Sequence, residues 1–166
     1  MRLSVLFLVS IFLLLTVAGC HSERVILERG AAAPAFSLQS LKHGEINFPQ
    51  PNRVTVIRFW ADWCPYCLGE MKDIEPVYRE MKDKGLEILA INVAQDKKTV
   101  TDFVAKIGIS YPVLLDTDGS VSRRYGVVGL PTTIFVDAQG RVLGKILGEA
   151  DVAIFRQKVL QSLGSL

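Results

Sequence analysis

Apolar residues fall into two rhythms along this chain, and the change from one to the other marks strands and helices in turn. Residues 35–41 alternate apolar and polar, and residues 46–48 resume the pattern after Lys42-His43-Gly44-Glu45. That predicts a β-hairpin with His43 as a turn residue. Pro49-Gln50-Pro51-Asn52 then breaks the chain, and the apolar, β-branched run Val54–Trp60 reads as a buried strand. Here the period changes. Leu68, Met71, Ile74, Tyr78 and Met81 recur at helical spacing, so a helix is expected from near Pro65 to Lys84, kinked at Pro76 and stopped by Gly85. Residues 86–94 are apolar apart from Glu87 and Asn92, as a central strand would be. Asp96 is placed to cap a helix with Val100, Phe103, Val104 and Ile107 on its apolar face, and Gly108 to end it. Residues 111–115 read as a short strand, with Ser120 as the cap of a brief helix through Tyr125. Residues 132–136 and 141–147 form a strand–turn–strand unit around Asp137-Ala138-Gln139-Gly140. Residues 150–163 close the chain as an amphipathic helix, with Val152, Phe155, Val159, Leu160 and Leu163 apolar.

The start of the chain follows neither rhythm. Met1-Arg2 is a short basic stretch, and residues 3–17 are a solid apolar core, short for a membrane span but normal for a signal peptide. It ends Leu15-Thr16-Val17-Ala18-Gly19-Cys20, and small residues before a cysteine resemble the cleavage site of bacterial lipoproteins. Residues 1–19 are therefore expected to be a signal peptide, Cys20 the lipidated first residue of the mature chain, and residues 20–34 a tether. The alternative is an ordinary signal peptide, or an uncleaved anchor, that happens to carry a cysteine. Either places the single domain, residues 35–166, outside the cytoplasm. The domain is long enough to build a core without disulfide staples. Formal net charge is +2, which offers no electrostatic case for nucleic acid.

Three cysteines do not make a disulfide framework, so each needs its own account. Cys64 and Cys67 lie where the strand Val54–Trp60 gives way to the helix. Residues three apart on a helix are about 5–6 Å apart, the separation a disulfide requires. Pro65 suits a first helical turn, where its missing N–H leaves no gap. Cys64, at the open end, would feel the positive end of the helix dipole, which favours a thiolate. Cys67, one turn in and better buried, would attack a mixed disulfide formed on Cys64. A closed zinc site needs four ligands, and beyond this pair only Cys20, His21 and His43 exist. No metal is expected.

Taken together, Phe59-Trp60-Ala61, Trp63-Cys64-Pro65-Tyr66-Cys67, Glu70 and Leu130-Pro131-Thr132-Thr133 resemble the thioredoxin superfamily. The closer resemblance is to the TlpA/ResA-type membrane-anchored thiol–disulfide oxidoreductases of bacteria, from about residue 35 onward. It implies an α/β thioredoxin fold: a mixed central β-sheet flanked by helices, with an N-terminal β-hairpin and a central α/β insertion near residues 96–115. It also implies that Pro131 is cis and faces the Cys pair, leaving the Leu130 backbone free to bind an extended substrate peptide. Trp63, Pro65 and Tyr66 would complete that surface, with Trp60 packed beneath. Glu70 would exchange a proton with the Cys67 thiol; the bland reading is a solvated helix carboxylate. The activity implied is reduction of protein disulfides with no cofactor beyond the Cys64–Cys67 couple. Implied partners are disulfide-bearing proteins outside the cytoplasm, apocytochrome c among them, and a membrane thiol donor for recycling. The membrane is reached through the lipid on Cys20, and the protein is expected as a monomer.

Two rivals remain, along with one departure from pattern. Residues 35–48 also resemble the opening of peroxiredoxin-like peroxidases, but those need Thr or Ser three residues before the reactive cysteine, where this chain has Ala61. A non-catalytic anchored binding module is the other rival, and the intact Cys pair weighs against it. The departure is Arg58. Thioredoxin has a buried Asp at this place, paired with a Lys whose position falls near Ala90 here, and ResA-like proteins commonly have Asn. Alternation puts Arg58 on the face of Val56 and Trp60, and the fold that the resemblance implies would set that face beneath the Cys-bearing helix, where a guanidinium needs a partner. Glu70 is the nearest acid, and an Arg58–Glu70 pair would place a cation that favours thiolate at Cys64 or Cys67. The alternative is that Arg58 snorkels to solvent.

Overall fold

The computed structural model describes residues 26–164. The expected signal peptide and Cys20 lie outside them. Seven strands run β1 (Phe36–Ser40), β2 (Glu45–Phe48), β3 (Val54–Trp60), β4 (Leu86–Val93), β5 (Val113–Asp116), β6 (Thr132–Val136) and β7 (Val142–Leu147). The helices are α1 (Cys67–Met81), α2 (Lys97–Ile107), α3 (Ser120–Arg124) and α4 (Val152–Leu163). The sheet order is β2-β1-β5-β4-β3-β6-β7, with β3, β4 and β5 parallel and the remaining pairs antiparallel. This is the mixed sheet expected, with the hairpin at one edge.

The reason the sheet takes this form is written in β3, whose seven residues are all buried. Val56 and Trp60 face one core with α1, α2 and α4; Ile57 and Phe59 face a second core that includes Val121 and Tyr125 of the α3 region. Trp60 packs on Phe103 at 4.7 Å between ring centroids, which locks α2 over the end of β3. Asp96 caps α2 by accepting from the Thr99 N–H at 2.9 Å, and Gly108 ends it in the left-handed conformation that a residue without Cβ adopts freely.

Four expectations need correction. Helix α1 opens at Cys67, because Cys64-Pro65-Tyr66 is a turn; it then passes through Pro76 to Met81 and ends in a 3-10 turn, Lys82–Lys84. Ser120 does not cap α3. Gly119 holds that place, and the buried Asp116 carboxylate accepts from the Val121 and Ser122 N–H groups, since the strand ends with its side chain aimed at the helix start. On α4 only a narrow stripe meets the core: Phe155 and Val159 are buried, while Val152 and Leu160 are exposed. Finally, part of the expected tether is docked. The Gly30 and Ala33 N–H groups donate to Val142 and Gly140 carbonyls at 2.7 and 2.8 Å, so this segment covers the start of edge strand β7.

Candidate active site

The carboxyl end of β3 delivers the chain to the Cys pair. Ala61 accepts from the Cys64 N–H at 3.3 Å and Cys64 from the Cys67 N–H at 3.2 Å, two successive tight turns that bring the cysteines together. They are joined as a disulfide with Cα atoms 5.4 Å apart. Cys67 is wholly buried and Cys64 is 2% exposed, so Cys64 holds what little access the pair has. Trp63 and Tyr66, on either side of it, are exposed large apolar side chains. Trp60 is fully buried, as expected.

The turn before Cys64 is fastened from the neighbouring strand. Gln95, just past β4, accepts from the Asp62 N–H at 2.9 Å and from the Asn92 side chain at 2.8 Å, and donates to the Asp62 carboxylate. Ala94 between them has φ 56°, a left-handed conformation uncommon for a residue with a Cβ. Strand β6 begins at the same end of the sheet, with Thr132 opposite Phe59. The Leu130–Pro131 peptide is cis, as expected; a second cis peptide, Phe48–Pro49, was not. Leu130 is half-buried, whereas Val128 is exposed.

Beneath the pair, Arg58 does not snorkel. Its side chain is 0% exposed and that of Glu70 3%. Arg58 Nη1 donates to Glu70 Oε1 at 2.8 Å and to Thr133 Oγ1 at 2.9 Å, and Nη2 lies 2.6 Å from Oε2. Glu70 is therefore no solvated helix carboxylate. Ala90 stands opposite Arg58 on β4 and brings no charge. Tyr111 sits close to both members of the pair: burial pushes its hydroxyl well above the ordinary value, Arg58 opposes this, and Glu75 and Glu70 add to it. It stays neutral and donates to the Met71 carbonyl at 2.8 Å, next to the place where Pro76 removes a helix hydrogen bond.

Comparison with known proteins agrees with this geometry. Residues 29–144 match the AhpC/TSA family. The chain is 33% identical over 145 residues to the thiol-disulfide oxidoreductase ResA of Halalkalibacterium halodurans, covering 86% of this chain and 82% of that one. It is 34% identical over 128 residues to ResA of Geobacillus kaustophilus, covering 76% and 74%. The chain belongs to the ResA-type thiol–disulfide oxidoreductases of the AhpC/TSA family. A crystal structure of a DsbE thiol:disulfide interchange protein from Chlorobium tepidum is similar in fold: TM-score 0.80 and 30% identity over 84% of this chain and 100% of that one.

In this ResA-type protein the structure gathers Cys64, Cys67, Trp63, Pro65 and Tyr66 at one turn, with Pro131 at the same end of the sheet. Glu70 lies below, turned inward. The sequence singled out Thr133 only as part of Leu130-Pro131-Thr132-Thr133 and not as a partner of Arg58, and it did not single out Gln95. Thr133 was within reach of the pattern, because it occupies the register position opposite Arg58. Gln95 carried no signal, since its partner Asp62 is 33 positions away. Among the described residues, no cluster of three or more His, Cys, Asp or Glu is arranged to hold a metal ion, and no helix is long and apolar enough to cross a membrane.

Proposed function

We propose that this oxidoreductase works as a reductant of disulfides in other proteins outside the cytoplasm. What supports the reading is the Cys64–Cys67 disulfide, seated at the end of the sheet with its less buried cysteine flanked in the chain by the exposed Trp63 and Tyr66. In the reduced protein the Cys64 thiolate attacks one sulfur of the substrate disulfide and displaces the other as a thiolate, which takes a proton. Cys67 then attacks Cys64 in the mixed disulfide and releases the second substrate thiol. The substrate gains two electrons and two protons; the protein is left with the Cys64–Cys67 disulfide. No cofactor beyond that dithiol is needed, and a membrane thiol donor would restore it. Trp63, Tyr66 and the backbone at Leu130-Pro131 would hold the substrate chain in extended form. Cys20 would carry the lipid that keeps the domain at the membrane, and apocytochrome c is a candidate substrate.

The experiment is catalysis of disulfide reduction in a test protein by the fragment starting at Arg29, with dithiothreitol as electron source. Activity that is lost in Cys64→Ser supports the reading. Turnover of hydrogen peroxide without reduction of the test protein would favour the peroxidase; Ala61, which has no hydroxyl, argues against that outcome. Cys20→Ala in the full chain should release the protein from the membrane fraction.

A further inference from the structure

Arg58 is a cation sealed in the protein, and stability does not explain it. Taking two charges out of water costs several kcal/mol per ion, and apolar replacements of such pairs are often neutral or stabilising. The pair is also incomplete: Arg58 Nε is buried with no hydrogen-bond partner. Its placement is more informative. Glu70 lies one turn after Cys67 on α1, and Thr133 lies two residues after Pro131 on β6. One guanidinium on β3 thus grips both the helix that carries Cys67 and the strand that follows Pro131.

We propose that Arg58 is a positioning residue for the dithiol couple: it holds the Cys67 helix against the Pro131 strand and fixes the buried charge that a thiolate meets when the disulfide opens. This rests on the reading of Cys64 and Cys67 as the reacting pair. A disulfide is neutral, so a charge beneath it hardly touches the oxidised form. On reduction two electrons break the S–S bond and each sulfur becomes a thiolate or, with a proton from solvent, a thiol. Any thiolate is drawn toward Arg58 and repelled by Glu70, so the pair weighs on one redox form and not the other. The other titratable groups in this region are Asp62 in the turn before Cys64, whose carboxylate accepts from Gln95, Glu75 on α1 and Tyr111 ahead of β5, while β4 and β6 present Ala90 and Thr133 opposite Arg58. Glu75 is engaged by Arg79 and Ser110, and Tyr111 is neutral. Substitution of Arg58 or Glu70 therefore unbalances the site in opposite senses.

The test is the rate of Cys64 alkylation by iodoacetamide against pH in reduced wild type, Arg58→Met, Arg58→Lys, Glu70→Gln and Arg58→Met/Glu70→Gln. The equilibrium of each with dithiothreitol is measured alongside. Glu70→Gln leaves Arg58 uncompensated: alkylation below the titration midpoint should rise about tenfold, and the disulfide should be reduced correspondingly more easily. Arg58→Met should shift both readings the other way, Arg58→Lys should stay near wild type, and the double variant, which removes both charges, should return close to wild type. A purely structural role weakens both redox forms alike and moves neither reading. Glu70→Gln is nearly isosteric, so it carries the test even if Arg58→Met fails to fold. An unshifted Glu70→Gln, or both single variants shifting in the same direction, overturns the role of Arg58. A wild-type protein whose Cys64 does not alkylate, or that reduces no test protein, overturns the proposed function instead.

Discussion

Helix α1 is held by an arginine–glutamate pair near each end, and the two pairs are equally close. Near the Cys pair, Arg58 Nη2 lies 2.6 Å from Glu70 Oε2; near the far end, Arg156 Nη2 lies 2.6 Å from Glu80 Oε2. What separates them is water. The first pair is 0% and 3% exposed, the second 41% and 44%. A contact between exposed charges is screened by solvent and salt, whereas a sealed pair must be complete, because either partner alone is a stranded charge. Distance therefore ranks these pairs equal, and burial ranks them far apart. The sealed one stands under the chemistry.

The comparison can be broken most forcefully at the buried end. Arg58→Ala or Glu70→Ala should cost about 3–5 kcal/mol of stability in urea unfolding, while Arg58→Met/Glu70→Leu, which removes both charges, should recover most of that loss. A double variant as unstable as the singles would mean that the pair itself, and not a stranded charge, holds the helix. Glu75 tests the middle of α1. Its carboxylate accepts from Arg79, from the Ser110 N–H at 2.9 Å and from the Ser110 hydroxyl at 2.6 Å, joining α1 to the loop before β5. Glu75→Ala should cost about 1–3 kcal/mol, between the two extremes. At the exposed end, Arg156→Ala should leave the melting temperature unchanged within error at physiological salt; a clear drop would erase the contrast.

A half-sealed pair lies between those extremes, and its effect is one of pH, at Glu87. Burial holds its carboxyl above the ordinary value, with Arg53 opposing. The folded state thus favours the neutral form. The stability Glu87 contributes is full below the unfolded value, about 4.3, and declines as pH rises through the folded value. Glu87→Gln escapes that decline, so its melting temperature relative to wild type should climb from pH 4 to pH 7. A flat difference would mean that Arg53 compensates fully.

Much of this was legible in the sequence, and the pattern of what was not has a physical cause. Alternation along β3 put Arg58 on the face of Val56 and Trp60, and helical spacing put Cys67 and Glu70 on one turn; the thioredoxin fold implied by the resemblance set that turn above that face, so the pair was foreseeable from periodicity and fold together. Asp96 and Gly108 were equally local signals. Ser120 misled because the Asp116 carboxylate, four residues earlier, reaches the same helix start from the end of β5. Val152 and Leu160 misled because apolar spacing shows which residues share a face but not how wide a face the neighbours cover. The docking of residues 30–33 on β7 and the hold of Gln95 on Asp62 join distant parts of the chain, and no periodicity records such contacts.

The central claim is that Cys64 attacks and Cys67 resolves. It is tested most directly by capturing mixed disulfides with extracytoplasmic proteins in the Cys67→Ala and Cys64→Ala variants and locating the linked cysteine by mass spectrometry. Cys67→Ala should accumulate partners joined through Cys64, and Cys64→Ala should capture almost none, because Cys67 is wholly buried. Equal capture through Cys67 would contradict the account.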